Sequence, residues 1–149
     1  MLGSKSDMKV AEKAVAVLKE LGLRYKVTVA SAHRTPELVD KLVAEADADV
    51  FIAIAGLSAA LPGVIAARTT KPVIGVPVSG ALNLDAILSV VQMPPGIPVA
   101  GVGLDRGDNA ALLAAAIIAL KDERVREALA KYRKKMKDTV IEDSKEVEI

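Results

Sequence analysis

The sequence has no cysteine and a single histidine, His33. Disulfides, a thiolate nucleophile and Cys- or His-cluster metal sites are thereby excluded, and no metal is expected. Tryptophan is absent and aromatics make up 2% of the 149 residues, against 52% hydrophobic residues. The core must therefore be built from Ala, Val, Ile and Leu. So many small apolar residues predict faces buried against other subunits. The net charge is only +1, which implies no nucleic-acid partner. No apolar run reaches the ~20 residues of a membrane span. No basic-then-apolar leader precedes the first element, so the cytoplasm is the expected location. One Gln and two Asn stand against 20 Lys+Arg and 19 Asp+Glu, a balance suited to thermal adaptation or to design.

What the chain does have is a regular alternation of strand and helix signals. Apolar residues at Val10, Ala11, Ala14, Val17, Leu18 and Leu21 share a helical face that Gly22 ends. The alternating run Tyr25–Val29 predicts a strand, and Glu37–Val43 has helical spacing. Asp49–Ala55 is almost continuously apolar, the mark of a strand buried on both faces of a parallel sheet. Further strands are predicted at 72–77 and 97–102, and helices at 61–70, 84–91 and 109–120. Asp122 opens a final helix, expected over 122–142, and 143–149 form a tail. One domain spans 1–149: an α/β fold in three layers, a parallel sheet flanked by helices. Its ligand site belongs on the loops at the C-terminal ends of the strands.

Those loops carry the chemistry-bearing residues. Ser31-Ala32-His33-Arg34-Thr35-Pro36 places a proton-transfer group beside a permanent cation, which suits an anionic substrate. The same stretch also reads as a helix start, with Thr35 as N-cap and Pro36 in the first turn. Gly3-Ser4-Lys5-Ser6-Asp7 offers free backbone N–H groups to an anion, and Asp7 is suited to sugar hydroxyls. Taken alone it reads first as an ordinary cap, with Ser4 or Ser6 as N-cap. The small residues of Gly56-Leu57-Ser58-Ala59-Ala60-Leu61-Pro62-Gly63 allow close approach of a ligand, and Ser79–Asn83 closes the rim.

Taken in order, six stretches resemble the catalytic subunit of phosphoribosylaminoimidazole carboxylase, the N5-carboxyaminoimidazole ribonucleotide mutase family in its class I, archaeal-like form. They are Gly3–Asp7, Ser31–Pro36, Leu61-Pro62-Gly63, Pro72–Pro77, Gln92–Val99 and Asn109–Ala114. The resemblance implies a flavodoxin-like sheet, a homo-octamer, no cofactor, and an aminoimidazole ribonucleotide as the small-molecule substrate of de novo purine (IMP) biosynthesis. It implies that His33 is the general acid/base, that Ser4 and Arg34 hold the phosphate, and that Asp7 holds the ribose. Ser6, Ser31, Gly56, Ser58 and Leu61 complete the implied substrate-binding set. One departure bears on turnover: Ala60 stands where the family has a histidine. Two other readings stay open. Ser58 and Ala60 suit an aminoimidazole ribonucleotide carboxylase that uses carbon dioxide directly. The missing histidine also suits a catalytically weak, ribonucleotide-binding assembly subunit.

The first strand of such a fold is short ahead of Leu2. In the order 2-1-3-4-5, an empty first position would leave its neighbours roughly 9.6 Å apart instead of ~4.8 Å, with their facing polar groups unpaired. The tail ending Val147-Glu148-Ile149 is one candidate to fill that slot, making the chain a circular permutant; a trimmed start is the other.

Overall fold

A computed structural model describes residues 1–147. Three parallel strands form its ladder in the order β1 (Phe51–Ala55), β2 (Val73–Pro77) and β3 (Ala100–Gly101). Phe51 lies opposite Val73, and Gly75 opposite Gly101. The apolar run at 51–55 serves both faces of the sheet, as its lack of polar alternation requires. On one face Phe51, Ala53 and Ala55 pack with α2 (Pro36–Ala44), α3 (Leu61–Ala66) and α4 (Asn83–Val91) through Val39, Val43, Ile65 and Val90. On the other, Ile54, Ile74 and Val76 meet Val10 and Ala11 of α1 (Met8–Glu20) and Ala110 and Ala114 of α5 (Gly107–Ile118). These are the three layers expected. Outside them, α6 (Glu123–Glu146) packs Val125 against Ala14, Val17 and Ala115.

Small side chains set the closest contacts. A Cβ at position 107 would collide with the carbonyl of Val10, so Gly107 is what lets α5 cross α1 closely. Helix starts follow their sequence signals. Pro36 stands in the first turn of α2. The Asp122 carboxylate accepts the Arg124 N–H at 3.0 Å and caps α6.

The first-strand slot is occupied by Met1–Gly3. The Met1 nitrogen donates to the Ile52 carbonyl (2.6 Å), Ile54 N–H to Met1 O (2.9 Å), and Gly3 N–H to Ile54 O (2.9 Å). On the other side Leu2 N–H donates to Thr28 O (2.8 Å) and Ala30 N–H to Leu2 O (2.9 Å). Leu2 bridges Val29 and Ile54 in parallel. Across the sheet the order is residues 28–30, Met1–Gly3, β1, β2 and β3, the flavodoxin-like arrangement. The expected tail strand is corrected over its described part. Helix α6 continues beyond 142 to Glu146, so residues 143–146 are helical, and Val147 is exposed. A helix satisfies its backbone locally, whereas a strand there would have to displace Met1–Gly3. Glu148 and Ile149, the rest of that expectation, lie outside the described residues.

Two predicted strands also shrink. Of Tyr25–Val29 only Val29 forms a bridge, to Leu2. The run 97–102 contracts to Ala100–Gly101 at the sheet edge.

Candidate functional site

The loops that follow Gly3, Ala30, β1 and β2 meet at one rim. In the first, Ser4 and Asp7 form a reciprocal cap. The Asp7 carboxylate accepts the Ser4 N–H at 2.9 Å, and the Ser4 hydroxyl accepts the Ser6 N–H at 3.4 Å. Asp7 is the one charged residue in the buried set of the described chain, at 5% exposure. Burial pushes its pKa above the ordinary carboxylate value. The Ser4 N–H, the Ser6 hydroxyl (3.4 Å) and the charge of Arg34 act in the opposite sense.

Arg34 joins the first loop to the second. Its Nη2 donates to the Gly3 carbonyl (3.0 Å) and its Nε to the Ser31 hydroxyl (3.2 Å). The Ser31 Oγ also accepts the Arg34 N–H at 3.2 Å. Of the five guanidinium donors, these two contacts orient the group and leave others for an anion. Thr35 precedes α2, but its hydroxyl does not cap the helix. It accepts the Ser31 N–H at 2.9 Å and donates to the Ser31 carbonyl at 3.3 Å, closing the turn on itself. His33 stands exposed at the crest of that turn. The ambiguous stretch is thus both a helix start and a presented imidazole–guanidinium pair.

The third loop is built from backbone. Leu57 and Ala59 take left-handed φ values of 53° and 38°, and the Ala59 N–H donates to the Gly56 carbonyl at 2.9 Å. A Cβ on Gly56 would come within 3.3 Å of the Val78 carbonyl, so a bare backbone is what lets the third and fourth loops touch. Ser58 is exposed on this loop, and Ala60 immediately precedes α3. Leu61 is 1% exposed within the core, so its side chain is not available to a ligand. What the expectation leaves for Leu61 is its main chain. In the fourth loop, Gly80 N–H donates to the Asn83 side chain at 2.9 Å.

The structure therefore brings two bonded sets together, Ser4, Ser6 and Asp7 in one and Ser31 and Arg34 in the other, joined through the Gly3 carbonyl beside the turn that carries His33. Gly56 and Ser58 belong to the adjoining loop. Two residues on this rim escape a motif reading, Asp105 and Lys13. Asp105 accepts the Ser79 N–H at 2.9 Å, and Lys13 donates to the Asp105 carbonyl at 3.1 Å. The available signal was Leu104-Asp105-Arg106-Gly107 between a strand and a buried helix, where an Asp suits a left-handed turn position.

Comparison with known proteins gives a consistent result. The family described as AIR carboxylase matches residues 1–139. The N5-carboxyaminoimidazole ribonucleotide mutase of Methanocaldococcus jannaschii is 62% identical, over 99% of this chain and 94% of that protein. The probable N5-carboxyaminoimidazole ribonucleotide mutase of Methanothermobacter thermautotrophicus is 52% identical over 99% of this chain, which spans 45% of that longer protein. The crystal structure of Treponema denticola PurE matches with a TM-score of 0.89 at 34% identity, over 99% of this chain and 96% of that one.

Proposed function

The chain belongs to the AIR carboxylase family, and on that premise we propose that it is an N5-carboxyaminoimidazole ribonucleotide mutase of purine biosynthesis. The reaction moves a carboxylate from the exocyclic nitrogen to ring carbon 4. The observation that carries this reading is the Arg34 guanidinium, held between Gly3 O and Ser31 Oγ next to a buried carboxylate and an exposed imidazole. Arg34 and Ser4 are suited to the 5′-phosphate and Asp7 to the ribose hydroxyls. The imidazolium of His33 gives its proton to the carbamate nitrogen, and carbon dioxide leaves. Carbon 4 attacks that carbon dioxide, forming the new C–C bond. The neutral imidazole then takes the proton from carbon 4. One proton is given and one taken back, so the chemistry is an isomerisation that consumes no ATP.

This scheme needs an enclosed pocket to hold carbon dioxide. In a single chain Leu57 (79% exposed), Leu82 (73%) and Leu84 (66%) lie bare on the third and fourth loops and on α4. An apolar rim of this kind supports self-association, with neighbouring copies walling the pocket, and the family resemblance supplies the number, a homo-octamer. A cytoplasmic location accords with the pathway and with the absence, among the described residues, of any helix long and apolar enough to cross a membrane.

Ala60 favours a second reading, direct carboxylation of aminoimidazole ribonucleotide by carbon dioxide. The test is a pair of steady-state rates without ATP, one with N5-carboxyaminoimidazole ribonucleotide and one with aminoimidazole ribonucleotide plus bicarbonate. The mutase reading expects the first to be clearly faster. The reverse preference selects the carboxylase. Binding without turnover of either selects the assembly subunit, and Ala60→His is then the variant expected to gain rate.

A further inference from the structure

We propose that Asp105 is a positioning residue: it fixes the Ser79–Leu82 loop against the Gly56–Ala60 loop and so sets the geometry of the half of the rim that encloses carbon dioxide. This role rests on the mutase reading above.

Asp105 is a non-glycine residue at φ 58°. Side chains take this conformation at a cost, and such positions persist where the surroundings over-determine them. Here three contacts do so. The Asp105 N–H donates to the Pro77 carbonyl at 2.9 Å, its carboxylate accepts the Ser79 N–H at 2.9 Å, and its carbonyl accepts the Lys13 ammonium at 3.1 Å. One residue thus grips the end of β2 on both sides of Val78 and anchors that grip to α1. Val78 is the residue that meets the third loop: its N–H donates to Ala55 O at 2.9 Å, and its carbonyl lies against Gly56. The path from Asp105 to the third loop is therefore two short contacts long. Glycine would satisfy the backbone conformation better than aspartate but supplies no acceptor for Ser79. The carboxylate is what the strained position provides. None of these contacts reaches Ser4, Asp7, Ser31 or Arg34, so the effect should fall on retention of carbon dioxide by the third and fourth loops and spare phosphate and ribose binding.

The test compares Asp105→Gly with Asp105→Asn in the full chain. Glycine relieves the backbone and removes the acceptor. Asparagine keeps a carbonyl acceptor and tolerates the left-handed conformation. For Asp105→Gly we expect the Ser79 amide to exchange about 10-fold faster and kcat to fall about 10-fold, the loss of one charge-assisted hydrogen bond. KM for N5-carboxyaminoimidazole ribonucleotide should stay within about twofold and the thermal midpoint should not fall. Asp105→Asn should recover most of both losses. Unchanged exchange of the Ser79 amide, or unchanged kcat in Asp105→Gly, overturns the proposal, as does a loss confined to KM. A wild-type protein without turnover counts against the mutase reading instead. The exchange rate of the Ser79 amide then decides the clamp by itself, faster exchange in Asp105→Gly supporting it and equal exchange overturning it.

Discussion

The first and second loops of the rim lock each other through side chains, whereas the third and fourth touch through backbone. Arg34 bonds Ser31 and, through the Gly3 carbonyl, the loop in which Ser4 and Asp7 cap each other. Gly56 and Val78 meet main chain to main chain, and around them Leu57, Ser58 and Leu82 face outward. Folding alone assembles the half suited to holding ribose and phosphate. The half proposed to enclose carbon dioxide presents apolar side chains to water, a state that association with further copies would relieve.

Replacing His33 should give the largest effect. His33→Asn is expected to lower turnover by about 10²–10⁴-fold, the range for a lost general acid/base, with ribonucleotide affinity and thermal midpoint close to wild type because the side chain is exposed. Stopped-assay rates and calorimetry measure both. Equal rates would remove the imidazole from the mechanism.

Next, Leu84→Glu with Leu88→Glu puts charge on the bare face of α4. Light scattering should show a mass far below that of an octamer. If the two halves differ as described, the dissociated protein still binds aminoimidazole ribonucleotide within a few-fold but turns over at least about 10-fold more slowly. Equal loss of binding and rate would break the contrast.

The smallest effect concerns stability. Folding raises the pKa of Asp7, chiefly through burial. Over the window between its unfolded and folded values the native state binds more protons than the unfolded state, so stability from this group is present at low pH and falls as pH rises through the folded value. Asp7→Asn removes that decline. Thermal midpoints should show the variant equal to or above wild type near neutral pH, and relatively worse in acid, while ribonucleotide affinity drops about 10–100-fold with the lost charged acceptor. A variant less stable at neutral pH than in acid, relative to wild type, would contradict the account.

Much of this was legible in the sequence because the signals are local. Asp122 caps by its own side chain, Pro36 starts a helix by its own ring, and the run at 51–55 is apolar whichever face it serves. The misses share the opposite trait. Tyr25–Val27 has strand alternation, but pairing depends on a neighbouring strand, and among the described residues none pairs with it. The tail beyond 142 has a β-like ending, yet α6 runs on to Glu146, helped by local bonds such as Lys145 to Glu142 at 2.9 Å. Within the site, His33 and Arg34 announce themselves by residue type. Asp105 does not: its meaning comes from Ser79, a partner 26 residues away that only the fold supplies.

Release and recapture of carbon dioxide within one site requires the open half of the rim to be covered during turnover. Its most direct test is N5-carboxyaminoimidazole ribonucleotide labelled with ¹³C in the carbamate, given to the wild-type protein without ATP in excess unlabelled bicarbonate and followed by NMR at early times. The carboxylate appearing on ring carbon 4 should retain the ¹³C label. Product carrying unlabelled carbon from the solution, or no product at all, would contradict it.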